Sequence, residues 1–522
     1  MRKLLLWILV VLLFLVLIAQ TRCRRKPLHR NPPDKPAATS AAPAPITPPS
    51  PPQTAPQAPP AQGRSLAEKL KPCHVPDVDE EVLCGRYEVY ENRAARKGRK
   101  IGLNIVVLPA KSSDVAADPI VFLAGGGVAP ATRYAAFLSK AFPVLRRQRD
   151  VLLVDQRGTG GSNPLECDLS TDPANAEYRD DARFLEAVRR CRTELEHKAD
   201  LRYYTTPIAM DDLDEVRGWL GYPRLNLFGV SYGTTAAMVY LRQHPERVRT
   251  VALQGVIPFD VPMWLEYPRS SQQALDRVFA ACVRQPGCHN AFPEIESEFR
   301  SLLKRLTEKP VKVRVRPSET GPEAEVTIDG EVLRDFVSKA LSSAARIHDL
   351  PLLVHLAYQG DPQLLARRLA SKEGSGIPKG VYLSIVCSEN MQFDPATLPA
   401  ATADTFLGGL RVERDIGACR EWPRGWLPPG FWMPVKSNVP ALVMNGSLDH
   451  LTPPRYGERV AQALGNARHV VLPNRGHNDT DPCVCGMIEA FIIAGNLEGL
   501  DTSCLLKTED LSFALNREQL LN

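Results

Sequence analysis

The amino-acid sequence predicts an α/β fold in which a mostly parallel sheet carries an inserted, mainly helical cap domain. The first observation is a series of short runs, rich in valine, leucine and isoleucine, that alternate with helical stretches. Continuous apolar runs are typical of strands buried on both faces, as in a parallel sheet covered by helices. The second observation is a block of about 180 residues, between the runs TVALQG and PALVMNG, in which this alternation stops.

The predicted strands are NIVVLP from Asn104, PIVFLAG from Pro119, DVLLVDQRG from Asp150, LNLFG from Leu225, TVALQG from Thr250, PALVMNG from Pro440 and ARHVVLP from Ala467. The interrupting block contains helical patterns, such as SSQQALDRVFAACV and EIESEFRSLLKRLTE, and a hairpin pattern, VKVRVRPSETGPEAEVTIDG. We interpret this block as a cap over the carboxyl ends of the strands, where open α/β sheets bind their ligands.

The N-terminal segment is predicted to direct the chain to a membrane. Arg2 and Lys3 precede sixteen consecutive apolar residues, 4–19, which as a helix would span about 24 Å, somewhat less than the roughly 30 Å hydrocarbon core. Either a cleaved signal or a short anchor fits this length, and we favour the anchor because no small-x-small cleavage site follows. Basic residues flank the segment on both sides, so the positive-inside rule does not set its orientation.

A proline-rich segment separates the N-terminal segment from the folded part of the chain. Residues 31–63 include twelve prolines and hardly any large apolar side chain, which predicts an extended, unstructured spacer. The chain is therefore predicted to contain six parts. The predicted parts are a signal or membrane anchor at 1–26, a Pro/Ala-rich linker at 27–66, the first part of the α/β core at 67–257, the cap at 258–436, the second part of the core at 437–505 and a C-terminal tail at 506–522.

Charge and cysteine content narrow the range of functions. The chain has 64 basic and 59 acidic side chains, a formal net charge of +5 that is too weak for its length to indicate a nucleic-acid partner. Twelve cysteines occur without paired C-x-x-C motifs, which indicates disulfides in an oxidising compartment, with free buried cysteines as the alternative. Sequence spacing groups Cys73 with Cys84, Cys167 with Cys191, Cys282 with Cys288, Cys387 with Cys419, and Cys483 or Cys485 with Cys504.

Residues 229–233, GVSYG, match the G-x-S-x-G pattern of a nucleophile elbow, in which a serine is exposed at a tight strand-to-helix turn. This predicts Ser231 as a nucleophile, although a glycine-rich turn without catalytic duty would show the same five residues. A nucleophilic serine also needs a base and an acid, which follow it in the order acid, then histidine. Asp449 and His477 each follow a predicted strand, at the same sheet edge as Ser231.

Two other histidines are rival candidates for the base. His450 directly follows the predicted acid, so its side chain is badly placed to bridge to the serine, and His469 lies inside a predicted strand. His477 is therefore the predicted base. The backbone N–H of Tyr232 and that of Gly126, in the glycine-rich loop FLAGGGVAPAT, are the predicted donors of an oxyanion hole.

Together these residues resemble the α/β-hydrolase serine peptidases of the proline iminopeptidase and tripeptidyl aminopeptidase type. The resemblance runs from about Cys73 to Cys504 and rests on LAGGG, DQRGTGGS, GVSYG, GSLDHLTP and GH, in that order. It implies a helical cap and the removal of residues from free peptide N-termini without a metal or cofactor. It also implies that Glu389, in IVCSEN, binds the substrate amine, and that Cys483 pairs with Cys504.

The sequence departs from the family in its oxyanion loop, where glycine-glycine-proline-glycine is replaced by Gly125, Gly126, Gly127 and Val128. The prediction is an exported, membrane-tethered serine exopeptidase of the cell envelope that acts on peptides with a free N-terminus. An ester hydrolase with the same triad, secretion after signal cleavage, and a non-catalytic envelope binding protein are the alternatives. The sequence leaves the oligomeric state open.

Overall fold

The computed structural model describes residues 66–126, 128–170, 172, 174–316, 322–371, 378–477, 479–507 and 510–520. The predicted N-terminal anchor at 1–26 lies outside these residues, as does the predicted linker at 27–66 except for Leu66. Within the described residues, every helix is too short or too polar to cross a membrane.

One large sheet of nine strands forms the centre of the described chain, in the order β1-β2-β3-β5-β4-β6-β7-β10-β11. A separate two-stranded hairpin is formed by β8 and β9. The strands are β1 (Lys71–Cys73), β2 (Val82–Tyr90), β3 (Lys100–Leu108), β4 (Ile120–Leu123), β5 (Val151–Val154), β6 (Leu225–Val230), β7 (Val248–Gln254), β8 (Val311–Val315), β9 (Ala324–Ile328), β10 (Ala441–Gly446) and β11 (Ala467–Leu472).

Six adjacent strands, from β5 through β11 in the sheet order, run parallel, while β1, β2 and β3 form an antiparallel edge. All four residues of β4 and of β5, and all six of β10, are buried. Successive side chains of a strand point to opposite faces, so Leu227 packs in the cluster on one face and Phe228 in the cluster on the other. This double burial is why the apolar runs show no polar alternation.

The helices are α1 (Leu66–Lys69), α2 (Ala135–Ala141), α3 (Ala176–Arg179), α4 (Asp181–Glu196), α5 (Thr206–Leu220), α6 (Tyr232–Gln243), α7 (Met263–Arg284), α8 (Pro286–Ala291), α9 (Ile295–Glu308), α10 (Gly330–Ala340), α11 (Ala344–Tyr358), α12 (Gln363–Ala370), α13 (Lys379–Ile385), α14 (Leu398–Thr402), α15 (Leu410–Glu421), α16 (Pro454–Ala463) and α17 (Pro482–Ala494). Helices α7 to α15 and the β8–β9 hairpin fall between β7 and β10, which confirms the mainly helical insertion in the predicted sheet.

The inserted region has its own hydrophobic core, to which helices α7, α9, α10 and α11 contribute side chains such as Phe279, Phe299, Leu333 and Leu350. The C-terminal tail joins this core, because Leu511, Phe513 and Ala514 are buried in the same cluster. No sequence pattern indicates this docking. It ties the end of the chain to the inserted region.

Five disulfides join the cysteines that the spacing had grouped, and the predicted choice of Cys483 as the partner of Cys504 is confirmed. Cys485 is buried and free, whereas Cys23 lies outside the described residues. The pairs are Cys73–Cys84, Cys167–Cys191, Cys282–Cys288, Cys387–Cys419 and Cys483–Cys504.

Candidate active site

Ser231 lies in the single-residue turn between the end of β6 and the start of α6, with φ 54° and ψ −122°. Non-glycine residues rarely adopt positive φ, and such strain is typical of a nucleophile elbow. The flanking glycines allow the turn to be this tight: a Cβ at Gly229 would collide with the carbonyl of Gly233, and one at Gly233 with the carbonyl of Leu123. This accounts physically for both glycines of the motif.

The turn places Ser231 in a hydrogen-bonded chain with His477 and Asp449. His477 Nε2 lies 2.9 Å from Ser231 Oγ, and His477 Nδ1 lies 2.9 Å from Asp449 Oδ2. Asp449 follows β10 and His477 follows β11, neighbouring parallel strands whose carboxyl ends meet at one sheet edge. The structure therefore brings together the three side chains that the sequence had singled out.

A fourth residue, Thr452, completes the surroundings of the carboxylate. Its Oγ1 donates to Asp449 Oδ2 at 2.5 Å and lies 3.1 Å from His477 Nδ1, and its backbone N–H donates to Asp449 Oδ1 at 2.8 Å. The motif GSLDHLTP contains this threonine, but the motif alone assigns it no role. The available signal was that aspartate side chains often hydrogen-bond to the backbone just after them, which is where Thr452 lies.

The surroundings of Asp449 and His477 favour an ionised carboxylate beside a basic imidazole. Burial alone would raise the pKa of Asp449, but the His477 imidazole and the hydrogen bonds from Thr452 outweigh burial and lower the pKa. For His477, burial alone would lower the pKa, and the charge and hydrogen bond of Asp449 raise it above its ordinary value. Such an imidazole can take a proton from the Ser231 hydroxyl and hold it as a cation.

Neither rival histidine is placed to serve Ser231. His450 is buried with its ring 6.0 Å from that of Tyr267, and burial lowers its pKa to about 3. His469 lies in β11 against Gly457 of α16, where a Cβ on that glycine would strike the imidazole, and burial lowers the pKa of His469. The hydrogen bond to Ser231 Oγ is formed by His477 rather than by either rival.

The loop after β4 passes close to the serine. A Cβ at Gly125 would lie 2.9 Å from Ser231 Cβ and 2.8 Å from the Val230 carbonyl, so only glycine fits there. Gly126 adopts φ 67°, and Val128, at the last glycine position of the related loops, adopts φ 82°. Tyr232 is the first residue of α6, so its N–H belongs to the helix turn whose donors have no intrahelical acceptor.

The side chain of Tyr232 is connected to Glu389 by hydrogen bonds through Thr206. Tyr232 Oη lies 2.7 Å from Thr206 Oγ1, which donates to Glu389 Oε2 at 2.7 Å, while the Thr206 N–H donates to Glu389 Oε1 at 2.6 Å. Glu389 lies in a π-helical turn, Val386–Asn390, which the Cys387–Cys419 disulfide attaches to α15. The sequence signalled neither Thr206 nor the connection through Tyr232, because they depend on long-range packing.

Glu389 is 3% exposed and borders a cavity of about 240 Å³ that Thr235 of α6, Phe259, Asn390 and Trp432 also line. Burial raises the pKa of Glu389 to about 7, against the opposing effect of the Thr206 hydrogen bonds. The carboxylate is therefore poorly solvated, and its pKa lies close to neutral pH. In the described residues, no group of three histidine, cysteine or acidic side chains is placed to hold a metal ion.

Comparison with known proteins identifies the family. The model of the α/β-hydrolase fold family matches residues 118–481, and the chain belongs to this family. Among its relatives is the tripeptidyl aminopeptidase of Streptomyces lividans, 23% identical over 68% of this chain and 70% of the relative. The serine protease Hip1 of Mycobacterium tuberculosis is 27% identical over 81% of this chain and 87% of the relative. The resemblance predicted from the motifs is confirmed, and the chain is a serine hydrolase of α/β fold.

Solved structures with the same fold include the proline iminopeptidase of Mycobacterium smegmatis. It is 16% identical to this chain, with a TM-score of 0.34, and the match covers 79% of this chain and 95% of the iminopeptidase. A thermophilic esterase from Thermogutta terrifontis is 16% identical, with a TM-score of 0.31, over 78% of this chain and 95% of the esterase.

Proposed function

We propose that the protein is a serine exopeptidase that removes N-terminal residues from peptides through an acyl-enzyme. The observation that carries the proposal is the chain of two 2.9 Å contacts from Asp449 through His477 to Ser231. This is the arrangement that a serine needs in order to lose its proton to a neighbouring base. The five disulfides and the peptidase names of the relatives support an exported protein that acts on peptides.

In the proposed mechanism, Ser231 Oγ attacks the scissile carbonyl carbon while His477 Nε2 accepts the hydroxyl proton. Asp449 orients the imidazole and stabilises its cation. The N–H groups of Tyr232 and Gly126 donate to the oxygen that becomes negative. His477 then gives its proton to the leaving amine as the C–N bond breaks, and a water molecule hydrolyses the acyl-enzyme by the same route.

We assign Glu389 the role of binding the protonated amine of the substrate. Its oxygens each accept one hydrogen bond from Thr206, and a carboxylate oxygen can accept a second. An ammonium ion in the adjoining cavity would therefore find an acceptor of opposite charge in poorly solvated surroundings, where a charged hydrogen bond is strongest. This anchor would fix the distance from the N-terminus to the scissile bond.

An ester hydrolase is the second candidate, because the Ser231–His477–Asp449 chemistry alone serves esters as well as amides. A fluorophosphonate probe tests both candidates against a non-catalytic binding protein. We expect stoichiometric labelling of the folded protein and none of Ser231→Ala. Labelling that survives this substitution, or folded protein that is not labelled, would rule out hydrolysis at this site. Hydrolysis of peptide anilides with a free N-terminus would then separate the peptidase from the esterase.

Association with the cell envelope through residues 1–26 belongs to the same proposal. Its motivation is the run of sixteen apolar residues between basic flanks. Fractionation of cells that express the full chain should place the protein with the membranes. Recovery of a chain lacking these residues from the culture medium would instead indicate cleavage and secretion.

A further inference from the structure

A second, smaller cavity lies within the inserted region, between α7, α10 and α15, and its wall carries two arginines. Arg334 projects from α10 and Arg411 from α15, with Tyr178, Tyr267 and Leu410 among the other lining residues. Arg334 is half-buried and Arg411 is exposed, so the cavity can be reached from solvent. Its volume is about 50 Å³, room for about three or four water molecules, or for one carboxylate group.

The acidic side chains in this wall already have cationic partners. Glu331 accepts hydrogen bonds from Arg414, and Asp335 pairs with Lys339 at 2.6 Å. Each of these carboxylates therefore has its closest ion pair with another cation, although the charge of Glu331 also acts on Arg334.

Among the described residues, no carboxylate lies within 4.0 Å of the guanidinium of Arg334 or of Arg411. The Nε atom of Arg334 is buried without a hydrogen-bond partner in that part of the chain, and burial lowers the pKa of Arg334. Arg411 lies over the ring of Trp264 at 5.4 Å. Desolvation would lower the pKa of Arg411, but the surrounding tyrosines and the charge of Asp415 outweigh it and raise the pKa. A buried donor without an acceptor is costly, and an anionic ligand would satisfy the Nε of Arg334.

The cavity adjoins the loops that carry the triad. The ring of Tyr267, in its wall, lies 6.0 Å from that of His450, the residue after Asp449, and Tyr267 hydrogen-bonds to Ser338, which also lines the cavity. Glu389 is instead hydrogen-bonded through Thr206 to Tyr232, the residue after Ser231. Since the histidine of a triad protonates the leaving amine, the leaving part of a peptide lies on the histidine side. The contact of Tyr267 with the residue after Asp449, and not with the residue after Ser231, is the reason to assign the cavity to the leaving side.

We infer that the Arg334–Arg411 cavity binds a carboxylate of the peptide on the leaving side of the scissile bond. The carboxylate is either the peptide C-terminus or an acidic side chain. This inference rests on the proposed peptidase function. It assigns the enzyme to short or acidic peptides held at both ends, by Glu389 at the amine and by the two guanidiniums at the carboxylate.

The test uses two matched pairs of peptides with free N-termini. One pair differs only in a C-terminal carboxylate or amide, and the other has aspartate or asparagine after the scissile bond. We expect wild-type kcat/KM to be about 10- to 100-fold higher for the charged member of at least one pair, as for hydrogen bonds between charged groups. The pair that shows the preference identifies the source of the carboxylate. Arg334→Gln and Arg411→Gln should bring that ratio close to one.

Arg300→Gln is the matched control, because this exposed arginine of α9 also lies in the inserted region and, within the described part of the chain, pairs with Glu296 alone. It should keep the wild-type ratio. Calorimetry with Ser231→Ala gives a readout that is independent of turnover: the same pairs should differ about 10- to 100-fold in Kd, and adding Arg411→Gln should abolish the difference.

Equal kcat/KM and equal Kd within both pairs would overturn the carboxylate site and leave the proposed peptidase standing. A difference in Kd for Ser231→Ala without peptide hydrolysis by the wild type would uphold the site and overturn the peptidase. A ratio that survives in both folded arginine variants would overturn the assignment to this cavity.

Discussion

Glu389→Gln removes one negative charge from the proposed amine site while keeping its shape. The glutamine amide oxygen can accept from the Thr206 N–H, and its amide nitrogen can donate to Thr206 Oγ1, which is then free to donate to Tyr232 Oη. The local hydrogen bonds are therefore preserved, and the substitution isolates the charge.

A hydrogen bond to a charged partner contributes about 1.5 to 3 kcal/mol, which corresponds to about 10- to 150-fold in kcat/KM. The assay compares a peptide anilide that has a free N-terminus with the same peptide acetylated. Wild type should prefer the free amine by about this factor, and Glu389→Gln should lose the preference. Equal losses on the free peptide, the acetylated peptide and an uncharged ester would refute the role in amine binding.

The same substitution should alter how stability depends on pH. Burial raises the pKa of Glu389 to about 7 in the folded protein, above its value in the unfolded chain. The proton stabilises the folded state fully below about pH 4.5, and this contribution, about 3 kcal/mol, is lost as pH rises through 7. Denaturant unfolding should therefore show Glu389→Gln gaining stability relative to wild type between pH 4.5 and 7. A constant difference would mean that the carboxylate is not buried in this way.

Three further predictions concern the triad and the turn that carries the proposed amine site. His477→Ala should lower kcat by about 10⁴- to 10⁶-fold, whereas folded His450→Ala should stay active, and the opposite result in pre-steady-state assays would reassign the base. Asp449→Asn removes the charge that raises the pKa of His477, so the acid limb of the ester kcat/KM profile should move to lower pH, with kcat falling about 10⁴-fold; an unmoved limb would contradict this. Replacing Cys387 and Cys419 by alanine opens a loop with a sequence separation of 32 and should lower the unfolding free energy by about 3–4 kcal/mol, which denaturant titration would detect; an unchanged midpoint would show that packing alone holds the turn.

The sequence predicted the parallel part of the sheet because strands buried on both faces must be apolar throughout. It did not predict β1 or β2, at the antiparallel edge, where the burial pattern of β2 is irregular and the sequence is correspondingly mixed. It also did not predict that Phe513 docks in the core of the inserted region, because a single aromatic residue in a polar tail has no periodicity to mark it. A local sequence pattern therefore predicts burial only where several neighbouring residues are buried together.

The site residues likewise divide into those that a short sequence motif marks and those that it does not. Ser231, Asp449 and His477 could be found because each occupies the loop after a strand, and parallel topology brings such loops to one edge. Thr206 could not, since it lies 183 positions from Glu389 in sequence and reaches it only through the packing of α5 against the π-helical turn. Residues that support a site through tertiary contacts leave no short motif.

That tertiary contact bears on why the enzyme would act at peptide ends. Tyr232 is proposed to stabilise the oxyanion through its backbone N–H, and its side chain hydrogen-bonds to the threonine that holds Glu389. The serine, the proposed oxyanion donor and the carboxylate proposed to bind the amine are thus linked through the first residue of α6, a helix buried in the core. A rigid link fixes the separation between the anchored N-terminus and the attacked carbonyl, so the number of residues released follows from geometry rather than from side-chain recognition.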